Sequence, residues 1–573
     1  MQRLISFGLC LSIVIPAFAR AQTTPPLTPD WSENAKIDPS GRPNPYGWDE
    51  ATFTQRIRAG KIIALNYPVT VTGTLVPERT TIQFLNAKPG DPLFGLIKTI
   101  FSLNSSDFPD FKGVWDWMGL HDYPDTDGVI PYPDGIKPKY PMGVSFIERN
   151  HTQGLTFSCA VCHSSELFGK AILGMTNRFP NANLTFVLGQ QLFQEVSPTE
   201  LVIFAGATKE EVKMYEDSRE NIKMVGTKRP VALGLDTALS QVVLSLARRA
   251  QSPWAERDVS AETNPRPNLL DHKVADSKPA VWWNLKYKTR WLSDGSVLSG
   301  NPIITNIIWN ELGRGGDLKL LDEWINQNPE VFENLTTAVF ATEAPKWREY
   351  LGGYAISVSR AKRGEALFNQ NCVHCHGHYE KAWSLSPDEF SARKRIHPEL
   401  GRSDTIRVKY FAQTRSVDVD TDPGRREGAT AIEEALNPLE ISREHGIINQ
   451  AQQGYVPPPL DGVFARYPYL HNNSIPNLCA LMTRPSDRPV TYTSGKPIDP
   501  KTDYDEECVG YPLGEKTPKS WLEAKDAKEH HFDTRNEGLS NSGHYDGIFT
   551  NDDGTERYTL DQKSEIIEFL KTL

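Results

Sequence analysis

The sequence predicts a mainly α fold with long irregular loops and little β structure, divided into two units that each contain one Cys-x-x-Cys-His motif. Ahead of the second motif, Ala361, Gly364, Leu367 and Phe368 recur at helical spacing, which indicates an amphipathic helix leading into it. The two motifs lie 213 positions apart (372 minus 159), and this spacing fits one motif per unit. The 42 prolines and 41 glycines are spread along the 573 residues and indicate many loops between short elements.

The end of the chain predicts a second amphipathic helix. Ile566, Phe569, Leu570 and Leu573 fall at positions i, i+3, i+4 and i+7, which places them on one face of a helix. Such a helix can pack across the helix that precedes the second motif. Residues 345–573 are therefore predicted to form one enlarged domain.

The remaining boundaries follow from composition. The approach to the first motif is short and interrupted by glycine, so the unit at 141–344 is expected to have a more divergent core. Residues 22–140 are rich in Pro, Asp, Gly and Trp and are expected to form an irregular wrapping segment.

The N-terminus is typical of a secretory signal peptide. A basic Arg3 precedes an apolar stretch over 4–18 and a small-residue end at 19–21, the pattern of a cleavable signal. We expect cleavage near Ala21 and a periplasmic or secreted protein. No later apolar stretch approaches the roughly 20 residues that a membrane helix needs, so no transmembrane span is expected.

Composition excludes one class of partner. Hydrophobic residues make up 39% of the chain, and the formal net charge is −10. Lysine and arginine form no long block, so nucleic acid is not an expected partner.

The two motifs predict covalently attached haem. Cys-x-x-Cys-His is the attachment signature of c-type haem, in which the thiols bond to the porphyrin edge and the histidine lies under the iron. A disulfide oxidoreductase would need a βαβ context, and a zinc site would need further paired ligands. We therefore predict two haem c groups in two cytochrome c-like domains. Their ligands are Cys159, Cys162 and His163 in the first motif, and Cys372, Cys375 and His376 in the second.

Two further cysteines lack a Cys-x-x-Cys partner. In an oxidising compartment Cys479 and Cys508 most simply form a disulfide with each other. The alternative is two buried free thiols.

The face of each iron opposite its motif histidine separates electron transfer from catalysis, because an open position admits peroxide or dioxygen. Between the two motifs the chain offers only His272 and three methionines, Met175, Met214 and Met224. After the second motif it offers Met482 and seven histidines: His378, His397, His445, His471, His530, His531 and His544. The first haem therefore has few candidates for a second protein ligand.

Several segments resemble a known superfamily. Besides the two attachment motifs, "RYPYLHNNSIPNLCALM" at 466–482 is similar to a loop of the di-haem cytochrome c peroxidases. The stretches "PPPLDGVFARYPYLHNNSIPNL", "KPAVWWNLKYKTRWLSDGS" and "NEGLSNSGHYDG" resemble the rubber oxygenase branch more closely. The resemblance extends over most of the chain.

The resemblance implies roles for particular residues. In the rubber oxygenase branch the N-terminal haem keeps an open face for dioxygen, and the C-terminal haem carries histidine on both faces. This implies His544 as the second ligand of the Cys372/Cys375 haem, whereas the peroxidases proper imply Met482. A tryptophan between the haems is implied at Trp282 or Trp283, with Trp283 preferred, and an apolar cover over the open iron at Leu298.

The expected function is that of a di-haem peroxidase- or oxygenase-type oxidoreductase. It would activate peroxide or dioxygen at the first haem for an unknown organic substrate, with His163, Trp283 and Leu298 as candidate catalytic residues. The second haem would pass electrons, and a periplasmic protein is a candidate electron donor. The alternative is a non-catalytic electron-transfer cytochrome with both irons fully ligated. The length of the chain favours the enzyme, because an electron-transfer cytochrome needs far fewer residues per haem.

Overall fold

A computed structural model describes residues 27–86, 111–236 and 239–573. The predicted signal peptide and its cleavage site lie outside the described residues. Helices predominate, as expected. The longer α-helices are Glu50–Leu65, Glu78–Leu85, Phe111–Trp117, Ala182–Glu195, Pro198–Ala205, Lys209–Asn221, Leu239–Ala247, Pro302–Leu312, Leu318–Gln327, Pro329–Phe340, Val358–Asn371, Pro387–Ile396, Gly424–Leu436 and Leu560–Leu570.

Shorter helical segments connect these helices. The short α-helices are Ala160–His163, Val259–Thr263, Trp347–Tyr350, Val373–His376, Glu440–Glu444, Leu478–Leu481 and Lys519–Leu522. The 3₁₀ turns are Ile222–Met224, Leu269–Asp271, Trp282–Tyr287, Ala382–Ser384, Val463–Ala465, Pro485–Asp487 and Gly514–Lys516. None of the helices in the described ranges combines the length and apolar character needed to cross a bilayer.

The strands are short and all pair antiparallel. One sheet has three strands, with Thr152–Phe157 in the middle and Val76–Pro77 and Val144–Arg149 at its edges. The others are two-stranded ribbons: Ser164–Leu167 with Lys170–Leu173, Val297–Ser299 with Ile448–Asn449, His378–Lys381 with Thr405–Lys409, and Thr491–Thr493 with His531–Asp533. In the described residues, the β structure is therefore local and forms no barrel.

The first large core contains a close helix pair. Helix Glu50–Leu65 packs on helix Pro329–Phe340, and Gly60 permits the contact because a Cβ there would lie 2.0 Å from the Asn334 carbonyl oxygen. The Asp49 side chain caps the first of these helices. The described part of segment 22–140 thus includes a regular helix of 16 residues. The helix has only three buried residues, so its sequence shows a weak apolar stripe.

The second large core contains the predicted C-terminal helix pair. Helix Val358–Asn371 packs on helix Leu560–Leu570, which confirms that the terminal helix crosses the helix preceding the second motif. A Cβ on Gly364 would lie 1.9 Å from the Glu565 carbonyl oxygen. Phe368 and Phe569 meet at this contact with ring centroids 5.2 Å apart.

Candidate functional site

A single cavity of about 780 Å³ contacts both Cys-x-x-Cys-His motifs. Its wall draws on both large cores, since Leu239 and Trp309 belong to the first and Phe368 and Leu570 to the second. We call the part around Cys159, Cys162 and His163 the first pocket. The second pocket is the part around Cys372, Cys375 and His376.

The first motif is held at the end of a β-hairpin. Strand Thr152–Phe157 runs into Ser158, and the motif turn Ala160–His163 follows with the His163 N–H donating to the Cys159 carbonyl at 3.1 Å. Both cysteines are free thiols, and burial raises the pKa of Cys159 to about 11. Redox-active Cys-x-x-Cys pairs depend on a low thiol pKa, so this pair does not fit that class.

The His163 ring is oriented by one backbone group. Its Nδ1–H donates to the Ala280 carbonyl at 2.9 Å, and because a carbonyl can only accept, Nε2 is left as the unprotonated nitrogen. Burial lowers the pKa of His163 to about 4, so the ring is neutral at pH 7. A neutral imidazole with its Nδ1–H engaged is the usual state of a metal-ligating histidine.

Trp282 packs beside this histidine. The centroids of the His163 and Trp282 rings are 5.7 Å apart. Backbone bonds connect the two segments, with Gly174 N–H donating to the His163 carbonyl at 2.7 Å and Trp282 N–H donating to the Gly174 carbonyl at 2.9 Å. Gly174 thus links the first motif to Trp282 through two backbone hydrogen bonds.

The second motif ends a helix instead of a hairpin. Helix Val358–Asn371 runs directly into Cys372, and the motif turn Val373–His376 follows. Gly377 then turns the chain with φ +79°, where a Cβ would lie 2.7 Å from the Lys409 carbonyl oxygen. His376 Nδ1–H donates to the Pro458 carbonyl at 2.8 Å, and burial lowers the pKa of His376 to about 4. Both motif histidines are therefore neutral and oriented in the same way.

The second pocket contains a second histidine. The ring centroids of His376 and His544 are 6.1 Å apart, with the planes at 52°. With metal–nitrogen bonds of roughly 2 Å, two imidazoles that share one ion have centroids about 6 Å apart. Burial lowers the pKa of His544 to about 3, so this ring is also neutral and able to bind a metal.

A tight turn places His544 in the pocket. Its backbone is left-handed at φ +50°, and its N–H donates to the Val419 carbonyl at 2.6 Å. A Cβ on the preceding Gly543 would lie 2.3 Å from the Asp420 carbonyl carbon. The glycine therefore lets the chain pass close to the 419–421 loop.

These observations fit haem c as the group that the cavity holds. Each motif presents two free thiols and one neutral histidine to the same cavity, and the His376–His544 separation matches two ligands on one ion. The cavity wall is formed mainly by apolar groups, as a porphyrin requires.

The first pocket lacks the histidine pair of the second. In the described parts of the chain, Trp282 is the ring that contacts His163, and no second histidine ring does so. Exposed His272, the sequence candidate, does not contribute to the wall. Cys159 packs against the first core, and the residues of that core in the cavity wall include the apolar Leu239, Leu285, Leu292 and Trp309. Tyr67, Asp236 and Arg314 are polar residues of the same wall.

Other residues singled out from the sequence lie in different places. Leu298 is buried in strand Val297–Ser299 but is not in the cavity wall. Trp283 is fully buried in the second core, where its indole N–H donates to the Asp461 carbonyl at 2.9 Å. Met482 lines the cavity.

His471 also lines the cavity. Its ring stacks on Tyr455 with centroids 4.1 Å apart, and its Nε2 is buried without a partner.

Sequence reasoning missed a group of cations in the cavity wall. Lys278, Lys288, Arg425 and Arg466 all line it although they are distant along the chain. No spacing pattern in the sequence marks them, because the fold alone brings them together.

The remaining cysteines form the predicted disulfide. Cys479 and Cys508 are bonded across a sequence separation of 29, which confirms the pairing. The alternative of two free thiols is wrong.

Comparisons with known proteins point to a cytochrome. A family model described as "RoxA-like, cytochrome c-like" matches residues 454–493. The uncharacterized protein y4iM of Sinorhizobium fredii is 29% identical over 231 residues, which cover 38% of this chain and 50% of the relative. The uncharacterized protein y4iJ of the same organism is 29% identical over 268 residues, covering 40% of this chain and 41% of the relative. The chain thus spans half or less of the length of these curated relatives.

The matched segment forms part of the site described above. It contains Pro458, which orients His376, and the cavity residues Arg466 and His471. The match indicates a cytochrome c-like region related to that of rubber oxygenases and implies haem c as the cofactor.

Proposed function

We propose that the chain is an exported di-haem c-type cytochrome that acts as an oxidoreductase. In this proposal the first pocket activates peroxide or dioxygen, and the second pocket transfers electrons. The observation that carries the proposal is the difference between the pockets: the rings of His376 and His544 are 6.1 Å apart, whereas the ring that packs against His163 in the described residues is Trp282. Export rests on the N-terminal sequence pattern alone.

Bound haem would supply a redox-active iron, which could take up peroxide or dioxygen only where the protein leaves it without a ligand. The protein's own residues would set which iron is open. In the second pocket His376 and His544 would hold the metal from both sides, and in the first pocket His163 would hold it from one side.

The surroundings of His163 would tune the first pocket. The bond from Nδ1–H to the Ala280 carbonyl fixes the ring and makes Nε2 more electron-rich. Leu285, Leu292 and Trp309 would exclude water from the open side, so Leu292 is a better-placed cover than Leu298.

The adjacent tryptophans would connect the pockets. Trp282 contacts His163 and belongs to the first core, while Trp283 belongs to the second core. The Trp283 indole N–H donates to Asp461, which lies three residues after the Pro458 that orients His376. We retain Trp283 as the proposed electron-transfer residue, with Trp282 as its partner on the side of the first pocket.

The test measures turnover in protein matured with covalent haem. Wild-type protein should consume hydrogen peroxide with a reduced redox dye, or take up dioxygen in the presence of a polyisoprenoid. His163→Ala should abolish turnover, and His376→Ala should slow electron supply several-fold. His272→Ala, at an exposed histidine, serves as the matched control and should behave as wild type.

One result would replace the proposal. If peroxide, cyanide and carbon monoxide leave the spectrum of the wild-type protein unchanged in both oxidation states, both irons are fully ligated. The chain is then an electron-transfer cytochrome without a catalytic pocket.

A further inference from the structure

We propose that Lys278, Lys288, Arg425 and Arg466 form a buried cation cluster that binds the carboxylate side chains of the haem groups. This inference rests on the proposed function, because it requires that the cavity hold haem. The four residues line the cavity.

Lys288 gives the strongest evidence. Its side chain is only 6% exposed and lies in the cavity wall. Among the residues that the structure describes, none accepts a hydrogen bond from its ammonium or forms an ion pair with it. Burying an unpaired ammonium costs several kcal/mol. Asp294 is the acid whose charge acts on Lys288, and its carboxylate already pairs with Arg425. We infer that the missing anion comes from the cavity that Lys288 faces.

Lys278 has the same deficit of negative charge. Its Nζ donates to the Arg466 carbonyl at 3.2 Å and to the Pro468 carbonyl, and both acceptors are neutral. Burial, together with the nearby Arg466 and Arg178 cations, lowers the pKa of Lys278 well below its usual range. A carboxylate supplied from the cavity would offset both effects.

The protein supplies one carboxylate that pairs with the cluster. Arg425 Nε donates to Asp294 Oδ2 at 3.1 Å, with both side chains buried. Arg425 Nη1 has no partner. Among the described residues, the Arg425–Asp294 ion pair is the only one that these four cations form. Of the other acids in the cavity wall, Asp418, Asp420 and Asp546 are exposed. Asp236 is buried, but it accepts from the Asn183 backbone N–H, and burial raises its pKa to about 7.

The cluster extends to both pockets. Lys278 precedes by two residues Ala280, whose carbonyl orients His163. Arg466 Nη1 donates to the Pro459 carbonyl at 2.8 Å, next to the Pro458 carbonyl that orients His376. Haem carries two carboxylates at one edge, so two haems would bring four anions to these cations. Arg314 also lines the cavity, but its guanidinium donates to Thr156 Oγ1 and to the Phe157 carbonyl. Paired charges at this position would also keep the iron potentials higher than unpaired carboxylates would.

The experiment changes the charge of Lys288 in the holoprotein and measures the midpoint potential of each haem. We expect Lys288→Met and Lys288→Gln to lower the potential of at least one haem, because a carboxylate without its cation stabilises oxidised iron. Lys288→Arg should keep the wild-type potentials. Lys278→Met and Lys278→Arg repeat the comparison at the second unpaired lysine.

Lys286→Met is the matched control. Lys286 lies in the same turn and is 5% exposed, but it pairs with Glu343 at 2.9 Å and does not line the cavity. Its replacement should destabilise the fold without changing either potential.

Haem content distinguishes a failure of the proposed function from a failure of the cation-cluster inference. If wild-type protein binds no haem, the proposed function fails. If both haems are attached and all neutral variants keep the wild-type potentials, the cation cluster does not bind haem carboxylates, and the proposed function stands. If added acetate shifts the wild-type potentials, the cluster is open to a free carboxylate and the inference is also overturned.

Discussion

The two pockets contain the same Cys-x-x-Cys-His motif but differ in what surrounds it. Both motif histidines donate Nδ1–H to a backbone carbonyl, at 2.9 Å for His163 and 2.8 Å for His376. Among the described residues, a second histidine ring lies 6.1 Å from the motif histidine in the second pocket, whereas the ring beside His163 is Trp282. In the proposed function, the motif would attach the haem, and residues far from it would determine what the iron can bind.

The supporting elements differ as well. A β-hairpin leads into the first motif, and a long helix leads into the second. A disulfide between Cys479 and Cys508 lies in the second core. The second core thus contains a covalent cross-link.

The largest expected effect comes from removing one attachment pair at a time. Replacing Cys159 and Cys162 by serine should reduce covalent haem from two groups to one per chain, and replacing Cys372 and Cys375 should do the same. Each loss reflects the missing thioether bonds of that pocket. Haem content is measured on denatured protein. A chain that retains both haems covalently after either replacement would contradict the assignment of the motifs.

The second-largest expected effect comes from removing His544, the histidine that distinguishes the second pocket from the first. His544→Ala should convert a low-spin iron to high-spin without loss of haem, because it removes one of two axial ligands. Electron paramagnetic resonance measures the change.

Gly543→Ala tests the role of His544 in a second way, by displacing this residue without replacing it. The left-handed φ of +73° and the 2.3 Å contact to Asp420 should cost about 1–3 kcal/mol, displace His544 and give a mixture of spin states. Gly514→Ala is the control, since its φ is +61° with nothing within 4 Å. If neither His544→Ala nor Gly543→Ala alters the spectrum, the second ligand is Met482 or His471.

The disulfide should affect the second core more than the first. Replacing Cys479 and Cys508 by serine opens a loop with a sequence separation of 29 and should lower the free energy of unfolding by about 3–4 kcal/mol. Denaturant unfolding followed at each haem checks this. Equal destabilisation of both haem signals would show that the two cores unfold as one unit.

The smallest effect concerns the adjacent tryptophans. Trp282→Phe should perturb the spectrum of the first haem, because this ring contacts His163 at 5.7 Å. Trp283→Phe should leave both spectra intact but slow electron transfer between the haems several-fold, as measured by flash photolysis. Unchanged transfer rates in both variants would exclude the tryptophans from the route.

Two features of the second core, its crossing helices and its disulfide, can be predicted from the sequence. The apolar spacing around Phe368 and Phe569 identifies two helices that do cross, and cysteine counting identifies the disulfide. Both features depend on patterns that are continuous in the chain or limited to few partners.

Features that depend on the tertiary fold are not visible in the sequence. Leu298 and Leu292 are equally apolar, but only the structure shows that Leu292 lines the cavity. Lys278 and Lys288 look like ordinary surface lysines in the sequence and lie in the cavity wall. Glu50–Leu65 shows a weak apolar stripe because it packs through Gly60 and Ala64, so composition alone suggests an irregular segment.

The number of carbon monoxide molecules that each chain binds tests whether the first pocket is open and the second is blocked. Reduced protein with two attached haems should bind one carbon monoxide per chain, at the first pocket, because His544 blocks the second. In His544→Ala the number should rise to two. Binding of two molecules by the wild type, or of none, would contradict the difference between the pockets on which the account rests.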